Sequence, residues 1–326
     1  MNNIDHALKF IKRVPTGDNA QPWEVQIEDN KVYFYYNYQR GVHPYNRAHS
    51  ADKICISFLK RYIEMASHIM SFNYTFEELG HLNYLLTFKT EPNLFDYSEH
   101  PFFLRRTDRR YFDQSVALEE NQRKKIHAGK LIRYEDFPLD LKDFFKKSEQ
   151  TFWSTADVLK YFFKWIHFSK KSYNRKKDGI YYKEVHMAVH DIPVIFLLKF
   201  IPRFAAILFK TPLFFFVNYK IKRFYKDSTF LFYYLSPDQK DLEDICIKIL
   251  NDWCYLQSQG YSYQPMNLLN LPLFDDFINY KLKKKEASLF KLQKLQSLLG
   301  TEKLIIWSAR IGHVQEKYPH SPSPRR

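Results

Sequence analysis

The chain has 326 residues, 45% of them hydrophobic, with only 8 glycines and 15 prolines; this supplies one large or two modest packed domains and argues against a disordered or fibrous chain. A net charge of +14 suits an anionic partner, whether a phosphate-bearing cofactor, a nucleic acid or a membrane surface. Cys55, Cys246 and Cys254 form no CxxC pair, so a reducing cytoplasm is expected rather than a disulfide framework.

The opening "MNNIDHALKFIKR" has no long apolar segment behind a basic one, and no signal peptide is expected. Ile4, Ala7, Leu8, Ile11 and Val14 recur at helical spacing until Pro15 stops the helix. The stretch "RVPTGDNAQPW", residues 13–23, then gathers short hydrogen-bonding side chains and backbone amides into one turn. "VQIED" and "NKVYFYYNYQ" read as two strands around Asp29 and Asn30, "DKICISFLKRYIEMASHIM" as a helix, and "HLNYLLTFK" as a further strand.

Residues 192–219 are strongly apolar, but Lys199, Arg203, Lys210 and three prolines leave no clean membrane span. At about 100° per residue the three basic residues fall within roughly 40° of one another. The segment therefore reads as a helical cover packed on the core, or as an amphipathic element with a narrow basic stripe at a membrane surface. "TFLFYYLSP" suits a strand buried on both faces. From Asp238, placed as the cap, Leu242, Ile245, Ile249, Leu250, Trp253 and Leu256 share one helical stripe that ends at Gly260. "LFKLQKLQSLLG" reads as a helix stopping at Gly300, and "KLIIWSARIG" as a last core strand. Helices alternating with strands indicate an α+β or α/β layered domain.

Other constellations are weaker. His186 and His190 stand one helical turn apart, without the glutamate of HExxH and without a third ligand, so they read as ordinary histidines rather than a metal site. No GxGxxG or P-loop motif is present, and Lys283–Lys285 reads as a solvated helix face. Nucleic-acid binding has the charge without a module, so none is expected.

Short polar groups between a helix end and a strand can hydrogen-bond the rim of a planar polar ligand. Here the chain resembles the flavin-dependent nitroreductase family, whose Pro-Ser-x-x-Asn-x-Gln-Pro-Trp turn is matched by Pro15, Thr16, Gly17, Asn19, Gln21, Pro22 and Trp23. The resemblance implies that this turn contacts the ring and ribityl chain of FMN. "RRTDRRYFD", residues 105–113, resembles the family's phosphate-binding Arg-x-Ser-x-Arg-x-Phe element, with Arg106, Asp108, Arg110 and Phe112 in its places and Arg105 beside them. Planar guanidinium groups suit phosphate oxygens. "GYSYQPMNLL" resembles the loop whose backbone amide faces the flavin N5; Gly260 and Pro265 fit, while Asn267 and Leu268 stand where the family has an acidic residue and a glycine. The terminal "SPSPRR" resembles the basic end that returns to the flavin phosphate, through Arg325 and Arg326.

In the usual family member the arginine element precedes the turn, on a short chain that shares its flavins across a homodimer. The order here resembles the enlarged subgroup in which two nitroreductase-like halves are fused. It implies an α+β fold with an antiparallel-rich sheet flanked by helices, built as a pseudo-dimer of residues 1–100 and 101–326, with a helical cover at 192–219. The implied protein is a cytoplasmic FMN-binding oxidoreductase, monomeric or a weak homodimer, that passes hydride or electrons from NAD(P)H to a nitroaromatic, quinone or enone. No side-chain acid or base is singled out, because the cofactor carries the chemistry. The alternative is a non-catalytic flavin-binding or flavin-storage protein with a covered site, associated or not with a membrane surface.

Overall fold

The computed structural model describes residues 3–185, 196, 199–211, 219, 222–266, 272–276 and 286–315. Helix α1 (Asn3–Ile11) buries Ala7, Leu8, Phe10 and Ile11 and ends four residues before Pro15. Strands β1 (Trp23–Glu28) and β2 (Lys31–Tyr36) form a hairpin whose two-residue loop places Asp29 at a positive φ, as such tight turns require. Helix α2 (Ser50–Met70) follows, then β3 (Tyr74–Gly80) and β4 (Asn83–Phe88). These four strands form an antiparallel sheet in the order β1-β2-β4-β3.

The second sheet is assembled from more distant pieces. Strand β5 (Lys130–Arg133) is separated from β8 (Thr229–Leu235) by α3 (Leu139–Trp153), α4 (Ala156–Lys164), β6 (Ile166–His167), α5 (Lys170–Lys176), β7 (Ile180–Tyr181) and α6 (Pro202–Leu208). After β8 come α7 (Leu242–Ser258), β9 (Ser262–Pro265), α8 (Glu286–Leu299) and β10 (Leu304–Gly312). The sheet order is β5-β8-β10-β9, again wholly antiparallel. Strands β6 and β7 form a separate parallel pair.

The two sheets share one topology. Taken in chain order, the strands of each are arranged 1-2-4-3, and each has a long helix between its second and third strands, α2 in one and α7 in the other. Those two helices pack against each other, and one apolar core takes Ile63 and Ala66 from the first, Ile249 and Leu250 from the second, and residues of both sheets. Every residue of β10 is buried, which matches its reading as a core strand.

Two expected details differ. The cap of α7 is Asp241 rather than Asp238; Asp238 and Asp241 both accept the Ser236 hydroxyl, so this serine draws the chain into a turn before the helix begins. Within 192–219, α6 packs Ala205 and Ala206 against Leu159 and Phe163, forming a small cluster separate from the main core. Among the described residues, no helix is long and apolar enough to cross a membrane. His186, His190 and Lys283–Lys285 lie outside the described residues.

Candidate functional site

The turn after α1 is held in an uncommon backbone shape. Asp18, Asn19 and Gln21 all have positive φ, which asparagine and aspartate tolerate better than most residues but which costs energy at each position. Local bonds fold it: the Asn19 amide donates to the Thr16 carbonyl, the Ala20 amide to the Gly17 carbonyl, and the Gln21 amide to Thr16 Oγ1 at 3.1 Å. Distant bonds fix it. The Gly179 amide donates to the Asn19 carbonyl, Asn19 Nδ2 to the Gly179 carbonyl, and Gln21 Nε2 to the Lys177 carbonyl at 2.7 Å. Arg40 closes the far side: its Nε donates to the carbonyls of Ala20 and Gln21, and its Nη2 to Asp178 at 3.1 Å, while its guanidinium lies over Trp165. Asn19 and Gln21 thus brace the turn itself.

The outer lip is open. Pro15 is buried and Thr16 half-buried, but Gly17 is exposed with open space where a Cβ would stand. No described group accepts from the Asp18 amide, and behind the lip the Gly17 backbone hydrogen-bonds the Cys55 thiol. Burial pushes that thiol up to about 12, so Cys55 is an inert core group rather than a nucleophile.

The arginine element divides by partner. Arg105 is buried over Trp253; its Nε donates to the Tyr62 hydroxyl and its Nη2 to the Arg13 carbonyl at 2.8 Å. Arg13 returns a bond from Nε to the Phe103 carbonyl, and burial, aided by the Arg105 charge, lowers its own pKa to about 10. Arg106 is anchored through its backbone, its amide donating to Gln257 and its carbonyl accepting from Trp253 and Gln257. Arg110 forms a buried two-pronged ion pair with Asp108, Nε to Oδ1 at 3.0 Å and Nη2 to Oδ2 at 2.7 Å. Although burial opposes it, the bonds from Arg110 and Ser262 hold the Asp108 carboxyl below its ordinary value.

Arg109 was not singled out from the sequence, yet its charge is felt at the turn. It is half-buried, and its charge acts on both Asp18 and Glu184. Burial raises the pKa of both carboxyls, and Arg109 opposes the rise in each case. Glu184 also accepts from the Tyr173 hydroxyl at 3.1 Å. The only sequence signal for this role is position within the arginine run.

The segment that begins at Gly260 and the last strand both meet the arginine element. The Asp108 amide donates to the Tyr263 carbonyl of β9. At the end of β10, Arg310 is fully buried between the rings of Phe112 and Phe224, donating to Gln264, the Phe224 carbonyl and the Arg110 carbonyl; burial lowers its pKa to about 9. The Asp113 amide then donates to the His313 carbonyl, and the Gln315 amide to Asp113, so residues 313–315 lie beside the arginine element. Asn267, Leu268, Arg325 and Arg326 lie outside the described residues.

No protein-family model matches the chain, and no curated protein matches it either. Among the described residues, no group of three His, Cys, Asp or Glu side chains could hold a metal ion.

Proposed function

We propose that the chain is an FMN-binding oxidoreductase of nitroreductase type, passing hydride or electrons from NAD(P)H to a small acceptor such as a nitroaromatic, quinone or enone. The observation that carries this reading is convergence. Of the four segments that resemble the family's flavin contacts, direct hydrogen bonds link residues 13–23 to 105–113, through Arg105 Nη2 and the Arg13 carbonyl, and 105–113 to the loop that begins at Gly260, through the Asp108 amide and the Tyr263 carbonyl; the fourth, 321–326, lies outside the described residues.

The donor set fits a flavin mononucleotide. The open lip at Gly17 and the Asp18 amide, which has no acceptor among the described residues, suit the polar rim of a planar ring, and the charge of Arg109 acts on Asp18 at that lip. Bound there, FMN would supply the hydride and electron chemistry. The chain's part is positioning. Arg40 and the 177–180 segment lock the turn, Arg105 ties it to the arginine element, and Arg109 places a positive charge within reach of Asp18 and Glu184. Arg110 supports the element through Asp108.

The repeated 1-2-4-3 sheet, with its two central helices packed together, supports a fused pseudo-dimer on the nitroreductase plan. On that plan the turn before β1 corresponds to the segment before β5. There His127 bonds Asp252 of α7 through both its amide and its ring, in place of an open lip, which makes the second site degenerate.

The test is direct. The purified protein should be yellow, should quench the fluorescence of added FMN, and should oxidise NAD(P)H faster when a quinone is present. A colourless protein that leaves FMN fluorescence unchanged overturns the reading; FMN binding without NAD(P)H oxidation leaves the non-catalytic flavin protein.

A further inference from the structure

The face of α6 turned away from the core has no role in the flavin reading. Ala205 and Ala206 face inward, whereas Phe204 and Ile207 on the other side are 51% and 59% exposed. Phe196, Phe200 and Ile201, just ahead of the helix, are exposed as well. Large apolar side chains collected in this way mark a contact surface rather than ordinary surface scatter.

The charge around this face is one-sided. Residues 192–226 contain Lys199, Arg203, Lys210, Lys220, Lys222, Arg223 and Lys226 and no aspartate or glutamate. Arg203 stands on the helix beside Phe204 and one turn from Ile207, and it is exposed, as is Lys210 just after the helix. Lys199 lies over the Phe168 ring. Aromatic and aliphatic groups edged by cations, with no anion among them, match a bilayer interface: the apolar groups enter the acyl boundary while the cations meet anionic headgroups. A protein partner would ask for acids among the bases to fix one orientation, and this segment has none.

We propose that the exposed face of α6, with its basic rim, docks the protein onto the surface of an anionic lipid bilayer, lying on the membrane without spanning it. The binding is interfacial, so it requires both the apolar residues and the cations, and it weakens with salt because the cations are exposed.

Flotation of the full-length protein with phosphatidylcholine vesicles, with and without phosphatidylglycerol, tests this. The wild type should float with the anionic vesicles, stay in solution with the neutral ones, and be released by salt. Phe204→Ser with Ile207→Ser, and separately Arg203→Glu with Lys210→Glu, should each lower the bound fraction by about tenfold or more. Circular dichroism should show both variants folded, because the altered side chains are exposed; should the serine pair unfold the chain, the charge-reversed pair decides the matter alone. Failure of the wild type to float with anionic vesicles at low salt, or equal flotation of wild type and folded variants, overturns the proposal. It is overturned equally if the apolar variant turns a lipid-free dimer into a monomer by light scattering, since the face would then be a contact between copies of the chain. None of these readouts depends on flavin.

Discussion

Gly179→Ala is the substitution that most sharply tests how the turn is held. Gly179 has a φ of +68°, and a Cβ there would stand 2.3 Å from the Trp165 carbonyl oxygen and 2.8 Å from His167 Nε2. The nearer atom belongs to the backbone of Trp165, the residue before β6, and cannot swing away. A left-handed alanine costs about 1 kcal/mol. Moving the backbone to relieve the contact weakens the reciprocal bonds between Gly179 and Asn19, both 3.2 Å, each worth about 1 kcal/mol. The sum is about 3 kcal/mol, which should lower the melting temperature by about 5 °C or more in a chain of this size. Gly80→Ala is the matched control: its φ is +92°, but nothing lies within 4 Å of the added methyl, so only the backbone strain of about 1 kcal/mol should appear. Urea unfolding followed by circular dichroism measures both. If Gly179→Ala costs no more than Gly80→Ala, the 177–180 segment does not brace the turn as argued. FMN titration adds the functional link, with affinity falling in Gly179→Ala and not in Gly80→Ala.

The arginine element should separate into structural and ligand-facing members: Arg105→Ala is expected to cost about 3 kcal/mol in urea unfolding, because it strips two charge-assisted bonds from a buried site. Arg109→Ala should leave the unfolding midpoint nearly unchanged while weakening FMN binding by on the order of 1.5–3 kcal/mol in fluorescence titration; equal stability losses in the two variants would contradict the division. Glu149 is buried against the Tyr225 hydroxyl, and burial raises its pKa against the pull of that bond. A carboxyl raised in the folded state loses stability as pH climbs from its unfolded value toward its folded one, so the unfolding free energy of Glu149→Gln should gain on the wild type as pH rises from about 4.3. A gap that stays constant or moves the other way between pH 4 and 8 would rule this out. Light scattering combined with flavin absorbance should find a monomer carrying about one flavin per chain, and an obligate dimer with one flavin per chain would refute the fused pseudo-dimer.

What the sequence could and could not disclose follows from how far each feature reaches along the chain. The β1–β2 hairpin, α2 and the stripe of α7 were legible because their determinants are local: a two-residue loop, an apolar period and a terminal glycine. Strands β3 and β9 escaped notice because both lie at sheet edges, where Glu77 and Glu78 face solvent and Pro265 ends the ladder, so neither carries an apolar alternation. The repeated topology was invisible for a different reason. In the first sheet its first two strands are separated by two residues, and in the second by 134–228, so no fixed period exists to detect.

The site followed the same rule. The turn and the arginine run were visible as motifs, but a run of arginines reads as one cationic patch, and only tertiary partners divide it. Tyr62 and the Arg13 carbonyl claim Arg105, Asp108 claims Arg110, and the charge of Arg109 acts on Asp18 and Glu184. Arg310 carries the point furthest. A lone arginine in the apolar strand "LIIWSARIG" looks like a local conflict, yet its burial is compensated by two aromatic faces and by carbonyls contributed from residues 110 and 224. The Arg110 carbonyl is in reach only once the arginine element has docked on β10. The apparent conflict is therefore what fastens the element in place, because Arg310 holds it at both the Arg110 carbonyl and the Phe112 ring.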